Sequence, residues 1–383
     1  MALDADTLKQ LLDTIDKFVE NRLRPLESKV GAEDMIPEDV IQDMRELGLF
    51  GLTIPEAYGG LGLNMSEEVA VARVFGHTSP AFRSIFGTNV GIGSQALIID
   101  GTEAQKQQYL PGMATGEIIG SFCLTEPEAG SDAASVRLTA KKDGDDYLLN
   151  GTKRYITNAP KAQLLTVFAR TNANETGSRG VSAFLVDVKS AGISMSQPYR
   201  KMGQQGTYVC DVMFDDVRVS AANLVGGKED VGFRTAMKVL DKGRLHISAL
   251  SVGIAERLIR DSVKYAAERK QFGKPIFEFQ MIQSMLARSQ TEMYAARCMV
   301  EDAARRRDAG ENVAALAAAC KLFATEMVGR VADNAVQIHG GAGYVEDYGI
   351  ERFYRDVRLF RIYEGTSEIQ QTVIAKDLLT QLG

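Results

Sequence analysis

The sequence contains no tryptophan, and its four cysteines are scattered along the chain. None of them forms a Cys-x-x-Cys pair, which argues against a zinc site and against the disulfide framework of a small secreted domain. Cys298 and Cys320 fall within apolar patterns of helical period, where a small buried side chain is expected. The cysteine pattern therefore favours reduced thiols in a cytosol-like compartment.

Histidine is also scarce, and no stretch of 18 consecutive apolar residues occurs. The three histidines have no metal-ligand partner at useful spacing, so we expect them to be structural and expect no metal site. A membrane-spanning helix needs about 20 apolar residues, so we expect no membrane span. The formal net charge of −6 provides no basic field for nucleic acid. The acidic, amphipathic N-terminus does not read as a signal or transit peptide, and we expect a cytoplasmic protein.

The period of the apolar residues divides the chain into three parts. From 1 to 118 they recur at helical spacing, first along a helix that Pro25 interrupts and then along one that starts at Pro37. From 119 to 227 strand patterns replace the helical period. From 228 to 383 long helical stripes return, as in a four-helix bundle. We therefore predict a multi-domain α+β fold: an N-terminal α-helical domain, a middle β-barrel-like domain and a C-terminal helical bundle.

The middle part carries several strand signals. Residues 136–140 alternate between apolar and polar side chains, as a half-buried strand requires. Residues 164–170 and 181–188 are further strand candidates. The pair Asn150-Gly151 lies between two strand-like runs and predicts a hairpin turn.

Three short segments are too polar and too rich in glycine to be read only as connections. Residues 121–132 (SFCLTEPEAGSD) offer hydroxyl groups and a flexible glycine, suited either to ligand binding or to a capped loop between domains. Residues 337–344 (QIHGGAGY) close a long helix, where glycine is routine. In residues 361–370 (RIYEGTSEIQ), Glu364 is either a partner of a helix dipole or a base at the edge of a cavity. These patterns alone leave the alternatives open.

Together, the three segments resemble motifs of the acyl-CoA dehydrogenase family, and the likeness extends along almost the whole chain. KMGQQG (201–206) and VRVSAANLVG (217–226) are similar to the end of that family's β domain. ERKQFGK (268–274), QIHGGAGY and IYEGTSEIQ are similar to its C-terminal motifs, in the right order and spacing. The resemblance implies two helical domains flanking a β domain, and a flavoprotein oxidoreductase that acts on CH–CH groups with FAD as cofactor.

The resemblance also implies which residues contact FAD. In the same subunit they are Phe122, Leu124, Thr125, Gly130, Ser131, Tyr155, Thr157, Thr366 and Glu368. A neighbouring subunit is implied to contribute Arg269, Phe272, Gln280, Gln337 and Gly341. Such sharing implies a homo-oligomer, which we expect to be a homotetramer. Tyr155 stands where the family usually has a tryptophan.

The reaction implied by the resemblance is α,β-dehydrogenation of an acyl-CoA thioester to the trans-2-enoyl-CoA, as in fatty acid β-oxidation. Glu364 is the implied base for the α-proton, while the β-hydrogen leaves as hydride to flavin N5. The enolate must be stabilised as it forms, and the backbone N–H of Glu364 and a ribityl hydroxyl of FAD are the implied donors. Burial should raise the pKa of Glu364 towards the working pH. The implied substrate contacts are Ser131, Asp241, Arg244, Tyr363 and Gly365.

Two features of the sequence bear on the identity of the base and the substrate. Some subfamilies carry the base just before the arginine that matches Arg244; here that position is Gly243, which strengthens Glu364. Arg83-Ser84 resembles a pair in the glutaryl-CoA dehydrogenase branch that meets a distal carboxylate. The glutamate that accompanies that pair falls on Gly76, so we favour a structural role for Arg83 and keep a dicarboxylyl-CoA substrate as the alternative.

The electron acceptor is a further open choice. The resemblance implies an electron-transfer flavoprotein as partner. The alternative is an acyl-CoA oxidase that passes electrons to O₂, although those chains usually carry an additional C-terminal domain.

Overall fold

The computed structural model describes residues 2–382, in which a sheet lies between two groups of helices along the chain. Seven α-helices precede the sheet: α1 (Ala5–Phe18), α2 (Glu27–Glu33), α3 (Glu38–Glu46), α4 (Met65–Phe75), α5 (Pro80–Thr88), α6 (Gln95–Asp100) and α7 (Glu103–Thr115). The sheet contains β1 (Gly120–Cys123), β2 (Thr139–Asp143), β3 (Asp146–Thr157), β4 (Leu164–Arg170), β5 (Val181–Asp187), β6 (Ile193–Met195) and β7 (Val209–Ser220).

The C-terminal part is again helical. It contains α8 (Gly232–Glu268), a short hairpin of β8 (Lys270–Gln271) and β9 (Lys274–Pro275), α9 (Gln280–Asp308), α10 (Ala314–His339), α11 (Gly341–Tyr344), α12 (Ile350–Val357) and α13 (Ser367–Gln381). The predicted order of helical, β and helical parts is therefore confirmed. No helix within residues 2–382 is long and apolar enough to cross a membrane.

Local capping accounts for where the N-terminal helices begin. The Asp4 side chain accepts from the first turn of α1. A capping box between Asn64 and Glu67 starts α4. Pro25 does not end the helical path as predicted, because it lies in a 3₁₀ turn where its missing N–H costs little, and α2 follows directly.

The sheet has the strand order β1-β4-β2-β3-β7-β6, with β5 along the other edge of β4. β1 runs parallel to β4, and the long pair of β3 and β7 is antiparallel. The predicted strands at 164–170 and 181–188 are confirmed as β4 and β5. Val136, Leu138 and Ala140 are buried between exposed neighbours, as the alternation predicted.

The hairpin predicted at Asn150-Gly151 is wrong. Both residues lie inside β3, and the chain reverses between β2 and β3 at Gly144, which has a left-handed φ of 64°. The register of β3 and β7 shifts beside Gly151, and Asn150 exchanges two hydrogen bonds with Asp216 of the bulged strand. A pair that tolerates a turn also tolerates a bulge, because both need unusual backbone angles.

The two helical parts share one core, in which Ile15 and Phe82 pack in the same cluster as Leu250 and Phe353. A second cluster lies within the sheet, and a third joins the sheet to surrounding helices. Of the two cysteines predicted to be buried, Cys320 is buried, but Cys298 is exposed. Cys298 lies between the buried Ala296 and Val300, at a position that faces away from the core.

Candidate active site

A cavity of about 350 Å³ lies between the sheet and the helices of both helical parts. It draws residues from α5, from β1 and the loop after it, from the end of β3, from α8 and from the loop before α13. Of the predicted site residues it gathers Arg83, Phe122, Leu124, Thr125, Gly130, Ser131, Tyr155, Thr157, Arg244, Tyr363, Glu364 and Gly365. Tertiary folding thus brings segments from all three parts of the chain to one place.

One wall of the cavity presents free hydroxyl groups and an aromatic ring. The hydroxyls of Thr125, Ser131 and Thr157 donate to no side chain or backbone group among the described residues. Tyr155 has a left-handed φ of 57°, its side chain is 59% exposed, and its ring packs on Tyr199. This wall can offer hydrogen bonds and a flat face to a bound heteroaromatic group.

A buried ion pair supports this wall. The Lys153 ammonium group donates to Oε1 of Glu126 at 2.7 Å and to the carbonyl of Leu124 at 3.0 Å. The Glu126 carboxylate also accepts from the backbone N–H groups of Arg137 and Leu138. Burial lowers the pKa of Lys153, and the charge of Glu126 opposes this effect. The pair ties β3 to the loop that carries the hydroxyl groups.

Glu364 enters the cavity from a strained backbone. Its φ is 54°, in the left-handed region, and the following Gly365 has a φ of 91°. The buried Oε2 atom has no hydrogen-bond partner in the described chain. Burial raises the pKa of the carboxyl group, whereas the positive charges of Arg83, Lys321 and Arg244 oppose the rise. The backbone N–H of Glu364 likewise donates to no described protein group.

Gly243 of α8 lies directly against this carboxylate. A Cβ atom added at Gly243 would lie 2.4 Å from Oε2 of Glu364, which is closer than real Cβ contacts. One residue further on, Arg244 is buried and donates from Nη1 to Oδ1 of Asp241 at 2.6 Å. Arg244 lines the cavity and Asp241 does not, so Asp241 meets the cavity only through Arg244.

Arg83 enters the cavity from α5 and is buried. Its Nε donates to Nε2 of His246 at 2.8 Å, and Nδ1 of His246 lies 2.9 Å from Oε1 of Glu68. Because guanidinium nitrogen only donates, Nε2 accepts and the imidazole proton lies on Nδ1. Burial and the charge of Arg83 lower the pKa of His246 to about 4. Arg83 is therefore held by a neutral side chain.

The remaining predicted FAD contacts lie outside this cavity. Thr366 caps the N-terminus of α13, and Glu368 is exposed in the first turn of that helix. Arg269 and Gly341 line a second hollow of about 590 Å³, together with Tyr265, His339 and Tyr348. The other predicted contacts from a neighbouring subunit are exposed in the single chain: Phe272 (93%), Gln280 and Gln337. A single chain does not bring this second group to Glu364.

Several residues at the site were missed by sequence reasoning. Lys321 of α10 donates to the carbonyl of Gly365, and Gln370 of α13 donates to the same carbonyl. His246 and Glu68 hold Arg83. The sequence could have pointed to Lys321, because this lysine lies on an otherwise apolar helical stripe, where a charged side chain is unusual. Within residues 2–382 no group of histidine, cysteine and acidic side chains could hold a metal ion.

Comparison with known proteins agrees with the three-part architecture of the chain. Models of the N-terminal, middle and C-terminal domains of acyl-CoA dehydrogenase match residues 5–117, 121–217 and 230–379. The chain is 43% identical to an acryloyl-CoA reductase (NADH) of Anaerotignum propionicum over 365 residues, 95% of this chain and 92% of the relative. It is 41% identical over 343 residues to the CarC subunit of the caffeyl-CoA reductase-Etf complex of Acetobacterium woodii, covering 90% of each.

Among solved structures, butyryl-CoA dehydrogenase from Megasphaera elsdenii superposes with a TM-score of 0.94 at 34% identity, covering 99% of this chain and 100% of the other. The chain belongs to the acyl-CoA dehydrogenase family and is an oxidoreductase with FAD as its cofactor. The cavity fits that cofactor, because its wall offers unpartnered hydroxyl groups and the exposed ring of Tyr155 beside the unpartnered carboxylate of Glu364. Thr125, Ser131, Tyr155 and Thr157 line that wall and are the residues that would hold it.

Proposed function

We propose that this protein catalyses α,β-dehydrogenation of an acyl-CoA thioester to the trans-2-enoyl-CoA, with Glu364 as the catalytic base. The observation that carries the proposal is the Glu364 carboxylate, which enters the cavity with a buried oxygen atom that has no hydrogen-bond partner among residues 2–382. A carboxylate without a protein partner remains available to take a proton from a ligand. Its raised pKa makes it a stronger base than an exposed carboxylate.

The backbone at Glu364 supports the same role. Loss of the α-proton places negative charge on the thioester oxygen, which needs a hydrogen-bond donor fixed in advance. The N–H group of Glu364 has no partner within the described chain and belongs to the residue that would take the proton. Arg244 adds positive charge at the cavity wall. Bound FAD supplies the hydride acceptor, and the chain itself supplies the base, the donor and the alignment.

Anaerobic mixing of the FAD-loaded protein with a panel of saturated acyl-CoA thioesters tests this proposal. We expect one class of thioester to bleach the flavin absorbance, and we expect Glu364→Gln to lose the bleaching while retaining FAD. Bleaching that survives in Glu364→Gln would rule out Glu364 as the base. If 2-enoyl-CoA reoxidises chemically reduced enzyme but no saturated thioester bleaches it, the reductase direction named for the relatives would replace the proposed one.

The proposal includes an electron-transfer flavoprotein as the electron acceptor and a homotetramer as the assembly. One relative is named as a subunit of a complex with Etf. Reduction of a purified electron-transfer flavoprotein during turnover, with little peroxide formed under air, is the expected result. Stoichiometric peroxide would favour an oxidase instead.

Arg83 supports a second candidate, in which the acyl chain ends in an anionic group. Its guanidinium has no carboxylate within ion-pair distance in the described chain, and its one hydrogen bond goes to neutral His246. A buried cation at a cavity wall, with no carboxylate of the described chain close enough to pair with it, favours a ligand that brings one. Ser84 beside it also lines the cavity and can donate to the same group. This candidate is a dicarboxylyl-CoA thioester.

Rates of flavin reduction by a dicarboxylyl-CoA and by a monocarboxylyl-CoA of equal length test this candidate in Arg83→Met. We expect the loss on the dicarboxylyl substrate to exceed the loss on the monocarboxylyl substrate by about 100-fold or more, since only the former loses a buried ion pair. An equal loss on both substrates would show that Arg83 is structural. His246→Gln is the matched variant. It keeps a hydrogen-bond acceptor for Arg83 and should therefore retain part of the preference for the dicarboxylyl substrate.

A further inference from the structure

Lys321 is a buried lysine on the apolar helix α10. It has no exposed surface, and within residues 2–382 its ammonium group makes a single hydrogen bond, to the carbonyl of Gly365 at 2.7 Å. No carboxylate of the described chain lies within ion-pair distance of it. Burying an ammonium group with one neutral partner is costly, so a lysine at this place calls for a reason beyond packing.

The carbonyl that Lys321 holds belongs to the turn that carries the base. Glu364 and Gly365 both have left-handed φ angles, a region in which a non-glycine residue is strained. Gln370 helps to hold the turn, since its Nε2 donates to the Gly365 carbonyl at 2.8 Å and to the Glu364 carbonyl at 3.3 Å. Two side chains from two different helices thus fix one strained turn from its backbone side.

Lys321 and Glu364 also interact through their charges. For Lys321, burial lowers the pKa to about 8, and the charge of Glu364 is the largest influence that opposes this. For Glu364, burial raises the pKa, and Lys321 is one of the positive charges that oppose the rise. Each group therefore favours the charged form of the other.

We propose that Lys321 is a positioning residue for the base: it holds the Glu364–Gly365 turn by the Gly365 carbonyl and supplies a fixed positive charge that favours the ionised form of the Glu364 carboxylate. The inference rests on the proposed role of Glu364 and adds a residue to it. Lys321 does not line the cavity, so it acts through the turn and through space, without touching a ligand.

Other charged groups face Glu364 from the elements packed around it. Arg83 comes from α5 and Arg244 from α8, both at the cavity wall, while Glu68 of α4 acts in the opposite direction. Tyr363 precedes Glu364 in the chain and lines the same cavity. A ligand that enters the cavity can engage Arg83 and Arg244, whereas Lys321 remains behind the backbone. Of these three positive charges, that of Lys321 is the one at a residue that does not line the cavity.

Infrared difference spectroscopy of the FAD-loaded protein without substrate tests the inference, because it follows protonation of the Glu364 carboxyl group directly. The band is assigned by its loss in Glu364→Gln. In Lys321→Met we expect the titration midpoint to rise by about one pH unit, as for loss of one nearby opposite charge. In Lys321→Arg, which keeps the charge, we expect the midpoint to stay near that of the unsubstituted protein.

Lys321→Gln separates the charge from the hydrogen bond, because it can still donate to the Gly365 carbonyl. We expect its midpoint to move as in Lys321→Met. The same midpoint in a folded, FAD-loaded Lys321→Met as in the unsubstituted protein would overturn the inference, as would equal shifts in Lys321→Met and Lys321→Arg. Failure of the proposed function is a separate result, since it would appear as flavin reduction that persists in Glu364→Gln.

Discussion

The α-carbon of Gly243 and the carboxylate of Glu364 occupy adjoining space, such that an added Cβ at Gly243 would lie 2.4 Å from Oε2 of Glu364. The two residues come from different elements, α8 and the loop before α13. The resemblance places the base of some relatives at the position of Gly243. The two sequence positions therefore meet at one place in the cavity, where a side chain at position 243 would collide with the Glu364 carboxylate.

Gly243→Ala should therefore impair catalysis more than folding. The new methyl group meets the end of a flexible side chain, so Glu364 can rotate away at small cost in stability. A displacement of about 1 Å at a reacting group lowers rates by about 100-fold. We expect a loss of flavin reduction of that order with FAD retained, measured by anaerobic stopped-flow absorbance.

Gly91→Ala is the matched control for that substitution. Gly91 also lines the cavity, but a Cβ there would meet only Nη2 of Arg83, at an ordinary distance of 3.6 Å. We expect a rate within about threefold of the unsubstituted protein, because ordinary van der Waals contact requires no shift. Equal losses in both variants would contradict the steric explanation.

Glu364→Gln should stabilise the protein at neutral pH. The carboxyl group binds its proton more tightly in the folded chain, because burial raises its pKa there. Its ionisation therefore weakens folding as pH rises above about 4.3, the usual value in an unfolded chain, and through the raised folded value. The difference in thermal unfolding midpoint between Glu364→Gln and the unsubstituted protein should grow with pH across this range. A difference that is constant with pH would contradict the expectation.

Lys153→Met should destabilise the sheet and weaken FAD binding together. The substitution leaves the buried Glu126 carboxylate without its counter-charge, which typically costs about 3–5 kcal/mol. Urea denaturation should reveal the loss, and FAD should dissociate more readily because the loop with Thr125 loses its support. The double variant Lys153→Met/Glu126→Gln removes both charges and should recover part of the stability. No recovery would show that the charge pair is not the cause.

Phe272→Ser should weaken assembly and FAD retention if a neighbouring subunit completes the site. Phe272 is 93% exposed at the tip of the β8–β9 hairpin, with a left-handed φ of 50°. Burial of a large apolar side chain contributes about 1.5–3 kcal/mol, so its loss should lower the association constant by at least tenfold. Sedimentation velocity and the ratio of bound flavin to protein measure the two effects.

Met35→Ser, at an exposed methionine in the N-terminal part, is the control for Phe272→Ser. We expect its assembly and flavin content to match those of the unsubstituted protein. Unchanged assembly and flavin content in Phe272→Ser would remove this residue from the proposed subunit contact.

Local patterns in the sequence predicted the strands at 164–170 and 181–188, because alternation between buried and exposed positions is a short-range property. They failed at Asn150-Gly151, where the partner strand β7 decides between a turn and a bulge. They also failed at Cys298, which was predicted to be buried, because an apolar stripe in the sequence does not define the width of the buried face of the helix. In each case the deciding contact comes from residues distant in the chain.

The sequence by itself determined the order of helical, β and helical parts and the family, because periodicity and motifs depend only on residue types and their spacing along the chain. Only the tertiary structure decided which charged and polar groups surround Glu364 and Arg83. The packing of separate helices brings Lys321 and Gly243 to the turn that carries Glu364, and His246 to Arg83. Burial and neighbouring charge set the pKa of Glu364, and both depend on distances that only the folded chain defines.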